Sequence, residues 1–223
     1  MRKALFSLFE RVDACESCRK ARNPLRHVLG GGQMKRPRFA LVFINPTHRN
    51  RSSHPSYAGS RRYPFIGVRH FYRFLADAGF LKQKTVAPLY ERGWQLSDER
   101  RIEADLARHQ IYLTNLVKCA QPHPRYPSAD AICAQLPLLT QELRLVSPRY
   151  IVAFGGVSIK ALTGTAILLR DVLQDVRARR YSPQPSLGLA ELRLPVLPCF
   201  FPLGHGNPPK ALEVLRFITQ RFR

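Results

Sequence analysis

Apolar residues in this chain fall into a few short runs and several helical stripes, and their alternation outlines a fold. Phe39-Ala-Leu-Val-Phe-Ile44 is an apolar run too short for a helix. It stops at Asn45-Pro46, a polar residue followed by a ring that cannot continue a strand ladder. Ile111-Tyr-Leu-Thr-Asn-Leu-Val117, Tyr150-Ile-Val-Ala-Phe154 and Val196-Leu-Pro-Cys-Phe-Phe201 predict further buried strands. Val68, Phe71, Tyr72, Leu75 and Ala76 recur at helical spacing and predict a helix over 68–79, ended by Gly79. Other helices are predicted over 4–12, around 97–108, over 129–146 with Ser128 as N-cap, at about 157–163 after the Gly155-Gly156 turn, and over 209–221.

This alternation predicts an α/β fold: one three-layer αβα domain over 1–223 around a central, mostly parallel four-stranded sheet. Gly30-Gly-Gly32 reads as a linker joining an N-terminal arm, 1–36, to the first strand, and 82–110 and 165–190 read as inserts. A strand ending on a polar residue delivers that residue to the mouth of such a sheet, where ligands bind. Asn45 is the candidate; its alternative role is to cap a turn before Pro46.

Charge then narrows the choice of ligand. With 36 basic against 15 acidic residues the net charge is +21 and the pI near 10.8. Arginine, which grips phosphate bidentately, dominates the basic set. Nucleic acid is the leading partner, a merely Arg-rich or ribosome-like surface the alternative. The loop after Pro46 is basic and aromatic, with His48, Arg49, Arg51, Arg61, Arg62, Tyr63 and Phe65. No carboxylate occurs from Ser17 to Ala76, from Leu106 to Ala129, or from Leu192 to Leu212. Those windows cannot assemble carboxylate-held magnesium, which argues against a two-metal nuclease. The amphipathic N-terminus lacks the apolar core of a secretion signal, and no run reaches transmembrane length. The expectation is an intracellular protein, away from membranes, whose cysteines are reduced or metal-bound.

Cys15-x-x-Cys18 forms one close pair, and Cys119 with Cys133 could form another. Four thiolates suit a tetrahedral zinc or a four-iron cluster, and four ordinary buried thiols are the alternative. Such a metal would pin the N-terminal arm against the loop after the second strand. Cys199, inside an apolar strand, reads as a core residue.

Cys15-x-x-Cys18, Tyr63-Pro-Phe-Ile-Gly67, Leu113-Thr-Asn-Leu-Val-Lys-Cys119 with Cys133, and Tyr150-Ile-Val-Ala-Phe-Gly155 stand in an order and spacing that resembles the uracil-DNA glycosylase superfamily, above all its iron–sulfur branch, the family-four enzymes. His205 lies where that branch has its C-terminal histidine motif. Two motifs depart from the branch. Phe43-Ile-Asn-Pro-Thr47 looks like the Gly-Ile-Asn-Pro-Gly of the mismatch-specific uracil and thymine glycosylases, and His205-Gly-Asn-Pro208 stands where His-Pro-Ser is usual.

The resemblance implies a monofunctional, monomeric DNA glycosylase in base excision repair, located in the cytoplasm or with the nucleoid. Cys15, Cys18, Cys119 and Cys133 would hold a 4Fe-4S cluster, with zinc as the other occupant. The partner would be DNA containing a damaged or deaminated base: uracil, or alternatively hypoxanthine or mismatched thymine. Asn45 would hold the attacking water and His205 would donate to the departing base. Asn115 would read the base edge and Phe65 would stack on the flipped ring. Leu203, Asn207 and their loop would enter the gap, while Arg49, Arg51, Arg61, Arg62, Arg69 and Lys210 would meet phosphates. The reading from a different class is a non-catalytic, cluster-stabilised nucleic-acid-binding protein on the same scaffold.

Overall fold

A computed structural model of the chain describes residues 2–15, 23–57, 61–121, 123, 126–189, 192–204 and 206–222. In chain order its elements are α1 (Arg2–Asp13), β1 (Gly31–Gly32), β2 (Phe39–Phe43), a single 3₁₀ turn (Arg51–Ser53), α2 (Arg69–Asp77), α3 (Gln83–Val86), α4 (Pro88–Glu91), α5 (Leu96–Arg108), β3 (Ile111–Asn115), α6 (Ala129–Val146), β4 (Tyr150–Phe154), α7 (Gly155–Thr163), α8 (Leu169–Arg177), β5 (Gln184–Pro185), β6 (Pro195–Cys199) and α9 (Pro208–Arg221). Ser128 caps α6 as its sequence position predicts, accepting a hydrogen bond from the Ala131 amide at 3.2 Å.

The sheet runs β1-β3-β2-β4-β6-β5. Its four inner strands are parallel, as predicted, and the two-residue antiparallel strands β1 and β5 extend it to six. Period-two alternation sends Phe39, Leu41 and Phe43 to one face, where they meet α2, α5, α8 and α9, and Ala40 and Val42 to the other, against α1, α6 and α7. Both faces are therefore covered, which is why every position of β2 and β3 is buried and β2 reads as an unbroken apolar run. Buried Cys199 lies in this core, and burial pushes its thiol pKa up.

The glycine run is not a linker. It forms β1, where close packing excludes side chains: a Cβ on Gly30 would overlap Tyr112 Oη, and one on Gly31 would crowd the Tyr63 ring. Gly32 also needs φ +100°. The region 165–190 carries α8 and β5. The 82–110 segment packs as a buttress. The Glu99 side chain accepts from the Arg61 amide at 3.0 Å, and its carbonyl accepts from Tyr63 Oη at 2.8 Å.

One charged network is fully buried beneath β3. Lys118 Nζ meets both Glu142 and Thr114, while Glu142 Oε1 accepts from Tyr112 Oη at 2.6 Å and from Thr114 Oγ1 at 2.8 Å. Burial pulls the Lys118 pKa down and Glu142 opposes that pull. Removing one partner would strand the other charge away from water. Glu142→Ala is therefore expected to cost about 3–5 kcal/mol in denaturant unfolding. A loss below about 1 kcal/mol would show that the network is dispensable.

Candidate functional site

The carboxyl ends of the parallel strands converge on one cavity of about 300 Å³. Strand order reverses about β2 there, so the loops diverge and leave a crevice. Pairing between β2 and β3 continues past their ends. Leu116 N donates to Phe43 O at 2.6 Å, Val117 N to Ile44 O at 2.9 Å and Gln121 N to Pro46 O at 3.0 Å. The Asn45 loop and the loop after Asn115 are thus stitched together along their length.

Asn45, Arg49, Phe65, Asn115 and Leu203, all singled out from the sequence, line this cavity. Asn45 is half-buried, and its Nδ2 donates to Pro46 O at 3.1 Å. Asn115 is buried, yet its Nδ2 has no hydrogen-bond partner among the described residues. An unmet buried donor costs roughly 1–3 kcal/mol, which a ligand accepting from it would recover. Phe65 forms an aromatic wall. Its ring stacks on Phe71 at 3.8 Å between centroids and meets Phe43 edge-on at 4.7 Å. The backbone turns there through φ +67°, a conformation unusual for a bulky residue and held by this packing.

Sequence reasoning missed Asn50, Pro64, Phe201 and Tyr126 in the cavity wall. Asn50 is buried and builds the wall: its Oδ1 accepts from the Ser52 amide at 3.1 Å while its Nδ2 donates to Tyr63 O at 3.1 Å. Tyr126 is exposed at the rim, and its place in a proline-rich loop after β3 was the available signal. The loop opposite is tightly turned: Gly206 N donates to Leu203 O at 2.9 Å and Asn207 N to Phe201 O at 3.0 Å. His205 lies outside the described residues.

The remaining candidates separate. Asn207 lies outside the cavity wall and caps α9, accepting from the Lys210 amide at 3.2 Å. Lys210 is exposed, with Nζ 5.9 Å from the Phe200 ring centroid. Arg51 and Arg69 are exposed and lie over the rings of Tyr57 and Tyr90 at 5.7 and 5.3 Å. Two other arginines are held by acids: Arg61 by Glu103 at 3.2 Å, and Arg62 by both oxygens of Asp13 at 2.7 and 2.6 Å. Burial would raise the Asp13 pKa, but hydrogen bonds from His27 and Arg62 outweigh it and bring it down to about 2.

Cys15, at the end of α1, and Cys119, after β3, come together with His27, which the sequence reading did not select. Their ligand atoms all lie within 4.8 Å of one another. Thiolate and imidazole donors suit zinc or iron, so these residues fit a metal centre. Gln135 Nε2 stands 3.8 Å from both sulfurs. Cys133 is exposed and outside this group, and Cys18 lies outside the described residues. No described helix is long and apolar enough to cross a membrane.

The family model of the Uracil DNA glycosylase superfamily matches residues 30–209. Among curated relatives, the chain is 33% identical over 94 residues to a type-4 uracil-DNA glycosylase of Pyrobaculum aerophilum, covering 42% of this chain and 48% of that one. It is 31% identical over 111 residues to one of Saccharolobus solfataricus, covering 48% and 50%. A type-4 uracil-DNA glycosylase of Thermotoga maritima is 30% identical over 78 residues, covering 35% and 41%. The chain spans about half the length, or less, of these relatives.

Proposed function

The chain belongs to the uracil-DNA glycosylase superfamily, and on that footing we propose that it is a monofunctional DNA glycosylase. It would act as a monomer in base excision repair, hydrolysing the N-glycosidic bond of uracil, or of a related deaminated or mispaired base, flipped out of DNA. The observation that carries this reading is the Asn115 amide, buried with an unmet donor in an aromatic cavity that also holds Asn45. The name of the curated relatives supports uracil as the base.

A base leaves the stack at a cost of roughly a few kcal/mol and enters the cavity. Phe65, braced by Phe71 and Phe43, offers a rigid face for stacking. Asn115 supplies a donor and an acceptor, the pair needed to read one edge of a pyrimidine. Asn45 holds a water beneath the anomeric carbon. The water oxygen bonds to that carbon as the carbon–nitrogen bond breaks, and the proton the water gives up passes through solvent to the departing base. The electron pair leaves with the base, and hydrogen-bond donors stabilise the developing negative charge. His205, outside the described residues, keeps the donor role that the resemblance assigns it. None of the described residues lining the cavity is a lysine, which favours water over an amine as nucleophile.

Duplex phosphates would meet Arg49, Arg51, Arg69 and Lys210, whereas Arg61 and Arg62 are engaged by Glu103 and Asp13. The metal centre braces the fold away from the reacting atoms. A 4Fe-4S cluster is its proposed occupant, with zinc as the alternative, and Cys15 and Cys119 are the thiolates the geometry supports.

Incubation with oligonucleotides carrying one uracil, hypoxanthine or mismatched thymine, followed by alkaline cleavage, tests the reaction. Alkali-labile sites are expected with uracil, and Asn45→Ala should slow their formation by roughly 10²-fold or more with little change in DNA affinity. Unchanged turnover in that variant removes the role of Asn45. Tight binding with no abasic product on any base would leave only the non-catalytic reading. Four phosphate contacts also predict that log K falls with log salt at a slope of about −3 to −4 on duplex DNA. A flat response would contradict the assigned phosphate contacts.

A further inference from the structure

We infer that Tyr126 is a DNA-stacking residue, whose ring covers the face of a base laid bare when the neighbouring nucleotide flips out of the duplex. This deepens the glycosylase reading and rests on it. The large apolar side chains exposed among the described residues are Phe6, Leu96, Tyr126, Leu168 and Leu187. Scattered singly over a surface, such residues need no explanation. Tyr126 differs in two respects. It is the most exposed of them, at 73%, and it alone lines the cavity that holds Asn45, Phe65 and Asn115. A side chain that belongs to the wall and yet stands in the open marks the mouth of the cavity.

The ring is displayed rather than packed. Phe65 and Phe201, the other aromatic residues of the wall, lie against the core. Tyr126 belongs to no core cluster, and its ring meets no other ring among the described residues. Its backbone, in contrast, is held at both ends of a short loop. The loop leaves β3 at Gln121, whose amide donates to Pro46 O and whose carbonyl accepts from His48 N, both at 3.0 Å. It ends at Ser128, the cap of α6, whose carbonyl accepts from Ile132 N at 3.0 Å. Pro127 stands between ring and cap and restricts Tyr126 to extended backbone. A tyrosine so placed has only two side-chain torsions left to lose on stacking.

A base face is the partner that fits this ring. The net charge of +21, with exposed Arg49 on the same wall, draws a nucleic-acid backbone to the mouth. In an intact duplex each base is covered by its neighbours. Moving one base into the cavity uncovers a face on either side of the gap, and an aromatic ring at the mouth can cover one of them. Such stacking is indifferent to sequence, because every base has a π-face. Leu203, in the loop across the mouth, is half-buried and packs against the core, so it projects less than Tyr126. Tyr126 thus favours the flipped state by shielding what flipping exposes.

The test is binding of the whole protein to a duplex carrying one tetrahydrofuran abasic analogue, with the intact duplex as reference. The analogue supplies a ready-made gap and no base to excise, so turnover does not enter the measurement. Tyr126→Ala is expected to weaken affinity for the gapped duplex about 5–150-fold, and for the intact duplex much less. The slope of log K against log salt should not change, because no charge is lost. Tyr126→Phe should keep the unmutated affinity. A 2-aminopurine beside the gap should lose fluorescence on binding the unmutated protein and keep most of it with Tyr126→Ala. Equal affinity of Tyr126→Ala and the unmutated protein for the gapped duplex overturns the inference. So does an equal loss in Tyr126→Phe, which would make the contact a hydroxyl bond to phosphate instead of a stack. Uracil release by the unmutated protein, measured separately, decides the glycosylase reading whichever way binding falls.

Discussion

Phe43 lies opposite Asn115 in the parallel ladder between β2 and β3, and the two chains stay hydrogen-bonded through Gln121. That register brings the two asparagines of the cavity together. Side chains alternate across a sheet, so a slip of one position would send every residue of one strand to the wrong face. The core resists such a slip. Phe39, Leu41 and Phe43 fill one layer and Ala40 and Val42 the other, and neither set fits in the other's place. Asn45 leaves the strand at Pro46, where ladder pairing must change, and the neighbouring loop supplies acceptors and donors for the backbone beyond it.

The same β3 strand connects the cavity to the cysteine-bearing side. Asn115 points into the cavity, Lys118 is buried against Glu142 and Thr114, and Cys119 faces Cys15 and His27. A buried ion pair adds little net stability over an apolar pair of the same shape, but it is intolerant of losing one member. Its value here is geometric: Glu142 on α6 accepts from two β3 side chains at once and so fixes the strand relative to the helix. On the far side, Arg62 ties Asp13 of α1 to the chain that leads into Phe65. Cavity wall and cysteine group therefore share supports without sharing reacting atoms.

The scarcity of acids shapes the surface as well as the site. Described acids near the cavity serve as struts: Glu99 holds the Arg61 backbone and Asp98 pairs with Arg92 and Arg101. The Asp98 charge is balanced within the 82–110 buttress. Arg49, Arg51 and Arg69 stand exposed, which suits the proposed approach of phosphate to the acid-free loops.

The inner strands, most helices and the cavity candidates Asn45, Phe65 and Asn115 were legible in the one-dimensional pattern. Burial on both faces writes continuous apolar runs, helices write a 3.6-residue period, and a polar residue that stops a buried run marks a strand end. The family motifs then attached chemistry to those positions. Contacts between residues distant in sequence leave no such trace. Gly30 and Gly31 read as a linker because nothing local shows that Tyr112 and Tyr63 occupy the space of their missing side chains. Arg62 read as a phosphate contact because Asp13 is far from it in sequence, although the two form a bidentate pair in space. His27 carried no motif at all. Its place beside Cys15 and Cys119 arises only when α1, β1 and the β3 exit fold against one another. Periodicity and chain-local chemistry were set by the sequence itself, whereas the pairing of charges and the gathering of donor atoms were decided only by tertiary packing, because such interactions depend on distance in space and not along the chain.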